Sequence, residues 1–132
     1  MDTRKLLIAQ ARQARLSAQA KYSGFKVGAA LRTRNGDIFT GCNIESSSYG
    51  LTMCAERIAL GTALSAGENQ FDSIAIVGPK DDYCPPCGAC RQILYDYAPQ
   101  LKVILTNGKT IKMIPLKKLL PLAFDESRLR RR

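Results

Sequence analysis

The sequence predicts an α/β fold, a three-layer α/β/α arrangement with a mixed five-stranded sheet. Helical and β-type stretches interleave in the order α-β-β-α-β-α-β-β-α, which puts helices on the faces of one sheet. The chain has 132 residues, 45% hydrophobic and 23% charged, enough to bury one core but not to divide it in two. No internal repeat or Pro/Gly-rich hinge interrupts it. Residues 1–127 therefore read as a single domain, and residues 128–132, with Arg128, Arg130, Arg131 and Arg132, as a disordered basic tail.

Each element has a local reason. Asp2 or Thr3 can cap a first helix running to about Ala20, with Leu6, Leu7, Ala9, Ala14 and Ala18 apolar and Arg4, Lys5, Arg12 and Arg15 facing water. Lys26 to Thr33 and Asp37 to Ile44 read as two strands, joined at Asn35-Gly36 by a type I′ hairpin turn. Residues 45 to 52, with three serines, form a loop feeding a helix from about Cys54 to Ala66, which Gly67 ends. Ser73 to Val77 is a continuous β-type run, as in a strand buried on both faces. A helix from about Gly88 to Tyr97 stops before Pro99. Lys102 to Thr106 and Thr110 to Ile114 make the last two strands around Asn107-Gly108, and Leu116 to Leu120 a short closing helix.

Composition excludes several chemistries. With no His, mechanisms that need an imidazole base are ruled out, and any metal must be held by Cys or carboxylate. With no Trp and 7% aromatics, no broad stacking platform for single-stranded nucleic acid is evident. No stretch free of Asp, Glu, Lys and Arg exceeds ten residues, too short for a membrane helix of about 20 residues. The start of the chain lacks the apolar run of a signal peptide. A cytoplasmic location follows as an expectation, where five cysteines suggest metal or catalysis before disulfides. The net charge of +9 is uneven: residues 1–34 hold eight basic and one acidic residue, and residues 35–127 hold eight and ten. The middle of the chain is thus slightly acidic, so nucleic acid is not the expected partner.

The chemistry gathers at two predicted helix starts. Cys87 and Cys90 are i and i+3, so both thiols share one helix face and can grip one ion, with Cys54 as a third ligand. Helix N-termini favour the thiolate form. Arg57 and Arg91, each one residue past a cluster, are placed to offset the remaining negative charge. A structural zinc site would recruit a fourth ligand, with Cys84 the candidate, whereas a catalytic one keeps a position open. Cys84-Pro85-Pro86-Cys87 also allows a redox pair, and Cys42 reads as a small core residue. Glu56 can approach a metal held by Cys54 only if Cys54 sits at the helix start; otherwise it is an acid that suits the helix dipole. Asn43 and Glu45 share one face of a strand end, while Phe25 and Phe124 read by spacing alone as core.

Five motifs in order resemble the small, homotetrameric, zinc-dependent cytidine deaminases. They are Tyr22-Ser-Gly-Phe-Lys-Val-Gly-Ala-Ala-Leu31, Gly41-Cys-Asn-Ile-Glu45, Cys54-Ala-Glu-Arg57, Pro86-Cys-Gly-Ala-Cys-Arg-Gln92 and Leu119-Leu-Pro-Leu-Ala-Phe124. The resemblance implies one Zn²⁺ per chain on Cys54, Cys87 and Cys90, with Glu56 as proton shuttle. It implies that Asn43 and Glu45 bond the ribose 3′-hydroxyl, Phe25 packs on the pyrimidine, and the Ala55 N–H meets the base carbonyl. The Pro85 carbonyl would accept from the leaving amine, Arg57 would neutralise thiolate charge, and Phe124 would complete a neighbouring subunit's site. The implied activity is hydrolytic deamination of cytidine and deoxycytidine to uridine and deoxyuridine, releasing ammonia, as in pyrimidine salvage. Lys21 and Ser46 depart from the pattern, standing where Pro and Asn are common. The alternatives are deamination of another aminated heterocycle such as blasticidin S, editing of a polynucleotide, and a non-catalytic structural zinc module.

Overall fold

The computed structural model describes residues 2–80 and 82–129. Helix α1 (Thr3–Arg15) leads into the antiparallel pair β1 (Gly28–Thr33) and β2 (Ile38–Cys42). After a 3₁₀ turn at Tyr49–Leu51 come α2 (Ala55–Ser65), β3 (Phe71–Val77), α3 (Gly88–Tyr97) and β4 (Lys102–Thr106). Strand β5 (Ile111–Pro115), α4 (Leu116–Leu119) and a 3₁₀ turn at Glu126–Arg128 follow. The sheet order is β2-β1-β3-β4-β5; only β3 and β4 run parallel, with α3 as their crossover.

Alternation along the strands makes the three layers. Ala30, Ala75, Val77 and Ile104 face α1, whose Leu7, Ile8 and Ala11 are buried against them. Their neighbours Ala29, Leu31, Ile74, Ile76, Val103 and Leu105 face the opposite way, into a larger core with Ala55, Ala59 and Leu60 of α2, Leu94 of α3 and Leu116 of α4. Strand β3 is buried on both faces, as its unbroken apolar run predicts.

Two local expectations are corrected. Helix α1 is capped by Asp2, which accepts from the Arg4 N–H at 2.8 Å, but it ends at Arg15 rather than Ala20. Leu16, Ser17 and Ala18 tighten into i→i+3 turns, and Gln19 pairs with the Asn43–Glu45 backbone, a tertiary ladder that overrides helix propensity. The first hairpin is not type I′, since Asn35 keeps a negative φ. Gly36 at φ +96° donates to the Thr33 carbonyl and Thr33 to that of Asp37, so a three-residue loop with a bulge joins the strands. Of the expected tail, Arg128 closes the 3₁₀ turn at Glu126–Arg128, and residues 130–132 lie outside the described residues.

One close approach sets the position of α2. A Cβ on Gly41 would lie 2.5 Å from the Ala59 nitrogen and 2.6 Å from the Ala55 carbonyl oxygen, so only a bare Cα lets the helix lie this near β2. Gly41→Ala should therefore destabilise the protein by about 1–3 kcal/mol, the usual penalty of overpacking. Thermal unfolding checks this, and an unchanged melting temperature would contradict it.

Candidate metal centre and active site

Cys54 is the N-cap residue of α2 and Cys87 that of α3, both with extended backbones, and Cys90 lies one turn into α3. The two helix starts meet, and the sulfurs of Cys54, Cys87 and Cys90 all lie within 4.8 Å of one another. The Cys54 and Cys87 sulfurs are 3.8 Å apart. Tetrahedral zinc with Zn–S bonds of about 2.3 Å needs sulfurs separated by about 3.8 Å, so the donor set fits. Cys84 and Cys42 lie outside the cluster. Cys84 instead packs on Gly78, where an added Cβ would come within 2.9 Å of its sulfur.

The electrostatics also divide the sulfurs. Cys54 is pulled down to about 5, chiefly by the hydrogen bond it receives from Cys90, with Arg57 and Cys87 adding. Cys90 moves upward, because its proton is held in that bond and the thiol is buried. The negative charge of the pair thus falls on Cys54 while Cys90 keeps its proton. Arg57 donates to the Thr52 carbonyl at 3.0 Å and approaches the Cys54 sulfur at 3.9 Å; that thiolate raises its affinity for the proton. Arg91 is held by two backbone carbonyls. Its guanidinium reaches back over the start of α3 to the Pro86 carbonyl at 2.8 Å and across to that of Leu119 at 2.9 Å.

Glu56 is the second residue of α2 and only 5% exposed. The extended backbone of Cys54 resolves the spacing problem, since thiol and carboxylate then need not diverge as they would in mid-helix. Burial first, and then the Cys54 charge, push the Glu56 carboxyl up to about 7. A carboxyl poised there can both take and give a proton near neutral pH. Cys84 is likewise pushed up to about 11, by burial first.

The remaining predicted residues ring this centre. Ala55 is fully buried at the first position of α2, where a helix leaves its N–H without an intrahelical acceptor. Pro85 is exposed, on the loop before α3. Asn43 is buried; its carbonyl accepts from the Val27 N–H at 2.9 Å and its amide donates to the Phe25 carbonyl at 2.7 Å. Glu45 accepts from the N–H groups of Tyr22 at 3.0 Å and Ser23 at 3.1 Å, and from the Ser23 hydroxyl. These bonds, the Ser23 hydroxyl first, hold its carboxyl below the ordinary value. Phe25 and Phe124 are half exposed rather than core. Gln92, whose amide donates to the Phe124 carbonyl at 2.9 Å, and Ser23 are contacts that sequence reasoning missed. For Ser23 a signal existed, because a Ser two residues before Phe25 can turn back on its N–H.

The model of the cytidine and deoxycytidylate deaminase zinc-binding region matches residues 1–106. The chain belongs to the cytidine and deoxycytidylate deaminase family. Within it, the chain is 44% identical over 131 residues to a cytidine deaminase of Sporosarcina psychrophila, covering 98% of this chain and 96% of that one. It is 47% identical over 123 residues to a cytidine deaminase of Halalkalibacterium halodurans, covering 92% and 93%. The fold superposes on the crystal structure of a Burkholderia pseudomallei cytidine deaminase with a TM-score of 0.87 and 48% identity, covering 91% of this chain and 98% of that one. The five-stranded mixed sheet with its flanking helices is thus the fold of the cytidine deaminase structures it resembles.

The geometry divides the cysteines into two classes. Cys54→Ala, Cys87→Ala and Cys90→Ala should each lose the metal, whereas Cys84→Ser and Cys42→Ser should keep about one zinc per chain. Metal analysis of the purified variants checks this; zinc loss in the Cys84 variant would revive a four-cysteine structural site.

Proposed function

We propose that the protein deaminates cytidine and deoxycytidine by hydrolysis, giving uridine and deoxyuridine with release of ammonia. The observation that carries this reading is the buried Glu56 carboxyl beside three convergent thiols. Cys54, Cys87 and Cys90 would hold one zinc ion, which supplies the Lewis acidity that makes a water nucleophilic near neutral pH. Glu56 takes one proton of the attacking water and delivers it to ring N3. It then takes the remaining proton from the new C4 hydroxyl and hands it to the amine, so that the C4–N bond breaks as the C4 carbonyl forms and ammonia leaves. The Ala55 N–H holds the base carbonyl and the Pro85 carbonyl accepts from the departing amine. Phe25 packs against the pyrimidine, and Arg57 balances sulfur charge. Asn43 and Glu45 bond the 3′-hydroxyl: beyond its bonds to Phe25 and Val27, Asn43 keeps one N–H and one lone pair for the task.

A free nucleoside is favoured over a polynucleotide on two grounds. An internal nucleotide has its 3′-oxygen esterified, which would set a phosphate against Glu45. The basic α1 lies across the sheet from α2 and α3, which carry the cysteines. Among the described residues no helix is long and apolar enough to cross a membrane, consistent with work in cytoplasmic pyrimidine salvage. Ultraviolet assays with cytidine, deoxycytidine, cytosine, blasticidin S and single-stranded RNA test the assignment. Turnover of the two nucleosides should be insensitive to salt. A better rate with blasticidin S or RNA would overturn the reading. Glu56→Gln should keep zinc and fold while losing at least roughly 10²- to 10⁴-fold in kcat, the span of a general acid–base role.

The site of one chain stands open, and we infer a homotetramer with shared sites. Tyr49 and Leu51, on the segment leading to Cys54, and Leu122 and Phe124 near the C-terminus are large apolar side chains left exposed. A neighbour's Phe124 would cover the mouth of the site and exclude water. Sedimentation should show four chains per particle at assay concentration. An active monomer would contradict it.

A further inference from the structure

Ser23 lies where two clefts meet. One, of about 380 Å³, is lined by Tyr22, Ser23, Glu45, Ser46, Tyr49 and Thr52. The other, of about 400 Å³, holds Phe25 and Cys84 among its walls. The Ser23 oxygen accepts from the Phe25 N–H at 2.9 Å, and its hydroxyl donates to Glu45 Oε2. A serine hydroxyl has one proton, so this pair of bonds fixes its rotor, and the run from amide to hydroxyl to carboxylate is polarised in one direction. Glu45 Oε1 meanwhile accepts from the Tyr22 and Ser23 N–H groups. A carboxylate offers about four lone-pair sites. Three are filled from within the chain, which leaves one, on Oε2, for a hydroxyl from outside.

We propose that Ser23 is a positioning residue that aims the last free acceptor of Glu45 at the sugar and ties it to the backbone carrying Phe25. Sugar and base would then be read as one unit. This rests on the assignment of Glu45 to the 3′-hydroxyl and Phe25 to the base. Ser23 acts through both, by its bonds to Glu45 and to the Phe25 N–H.

The test compares cytidine with 3′-deoxycytidine in the zinc-loaded protein. Ser23→Ala should raise KM for cytidine about tenfold, the scale of one hydrogen bond to a charged group, while kcat falls much less. Its preference for cytidine over 3′-deoxycytidine should shrink, and Ser23→Thr, which restores the hydroxyl, should recover both. In a Glu45→Gln background, adding Ser23→Ala should change KM little, because the two act through one contact. Ser23→Cys, of similar size but a weaker donor, should fall between the wild type and Ala, and serves if the Ala variant folds poorly. A Ser23→Ala or Ser23→Cys protein with wild-type KM and preference, or an additive double variant, would overturn the proposal while leaving the sugar assignment intact. A wild-type protein that does not distinguish the two nucleosides would remove that assignment and the proposal with it.

Discussion

Three sulfurs within 4.8 Å of one another are a concentration of latent negative charge, and the surrounding structure answers it. Two helix N-termini point at them, because Cys54 and Cys87 are the N-cap residues of α2 and α3. The topology makes that meeting possible. Strand β3 runs from the end of α2 to the start of α3, so it returns the chain to the level at which α2 began. Both helices then lie on the same face of the sheet, over Leu31, Ile74, Ile76 and Val103. A residue pair separated by 33 positions in sequence becomes a pair 3.8 Å apart.

Around that point the division of labour is physical. Arg57 supplies a fixed positive group near Cys54, whereas Arg91 donates to two backbone carbonyls and so ties α3 to Leu119, the last residue of α4. Gln92 makes a second tie, to Phe124. The metal-bearing helix therefore also governs where the C-terminal segment lies. Cys84 and Cys42, chemically identical to the three clustered thiols, are excluded by placement alone, Cys84 being packed against Gly78 instead.

Much of this was legible in the sequence, and the limits have reasons. Helix α3 and strand β4 fall where periodicity and Pro99 place them, because their signals are local. The end of α1 was not legible: the pairing of Gln19 with Ile44 depends on a segment 25 residues away. The hairpin turn was half legible, since Asn-Gly marks a reversal but not its loop length. In the site, Cys54, Cys87, Cys90 and Glu56 stand out because spacing to helix starts constrains them. The acceptors of Arg91 were not legible, because a long side chain finds its partners in three dimensions, here the carbonyls of Pro86 and Leu119. The bond from Ser23 to Glu45 spans 22 positions and carries no periodic mark.

Glu56 has a meaning beyond chemistry. The other buried polar residues among those described are Thr33, Asn43, Ser73 and Thr106, all neutral, so Glu56 is the one carboxyl among the buried side chains described. Taking a carboxyl out of water lowers folding stability, and a neutral side chain of similar shape would fold at least as well. Random substitution in a chain not required to move protons would tend to remove it, as stability thresholds alone give no reason to keep it. A glutamate buried at the start of α2 therefore costs the fold stability that a neutral side chain there would not.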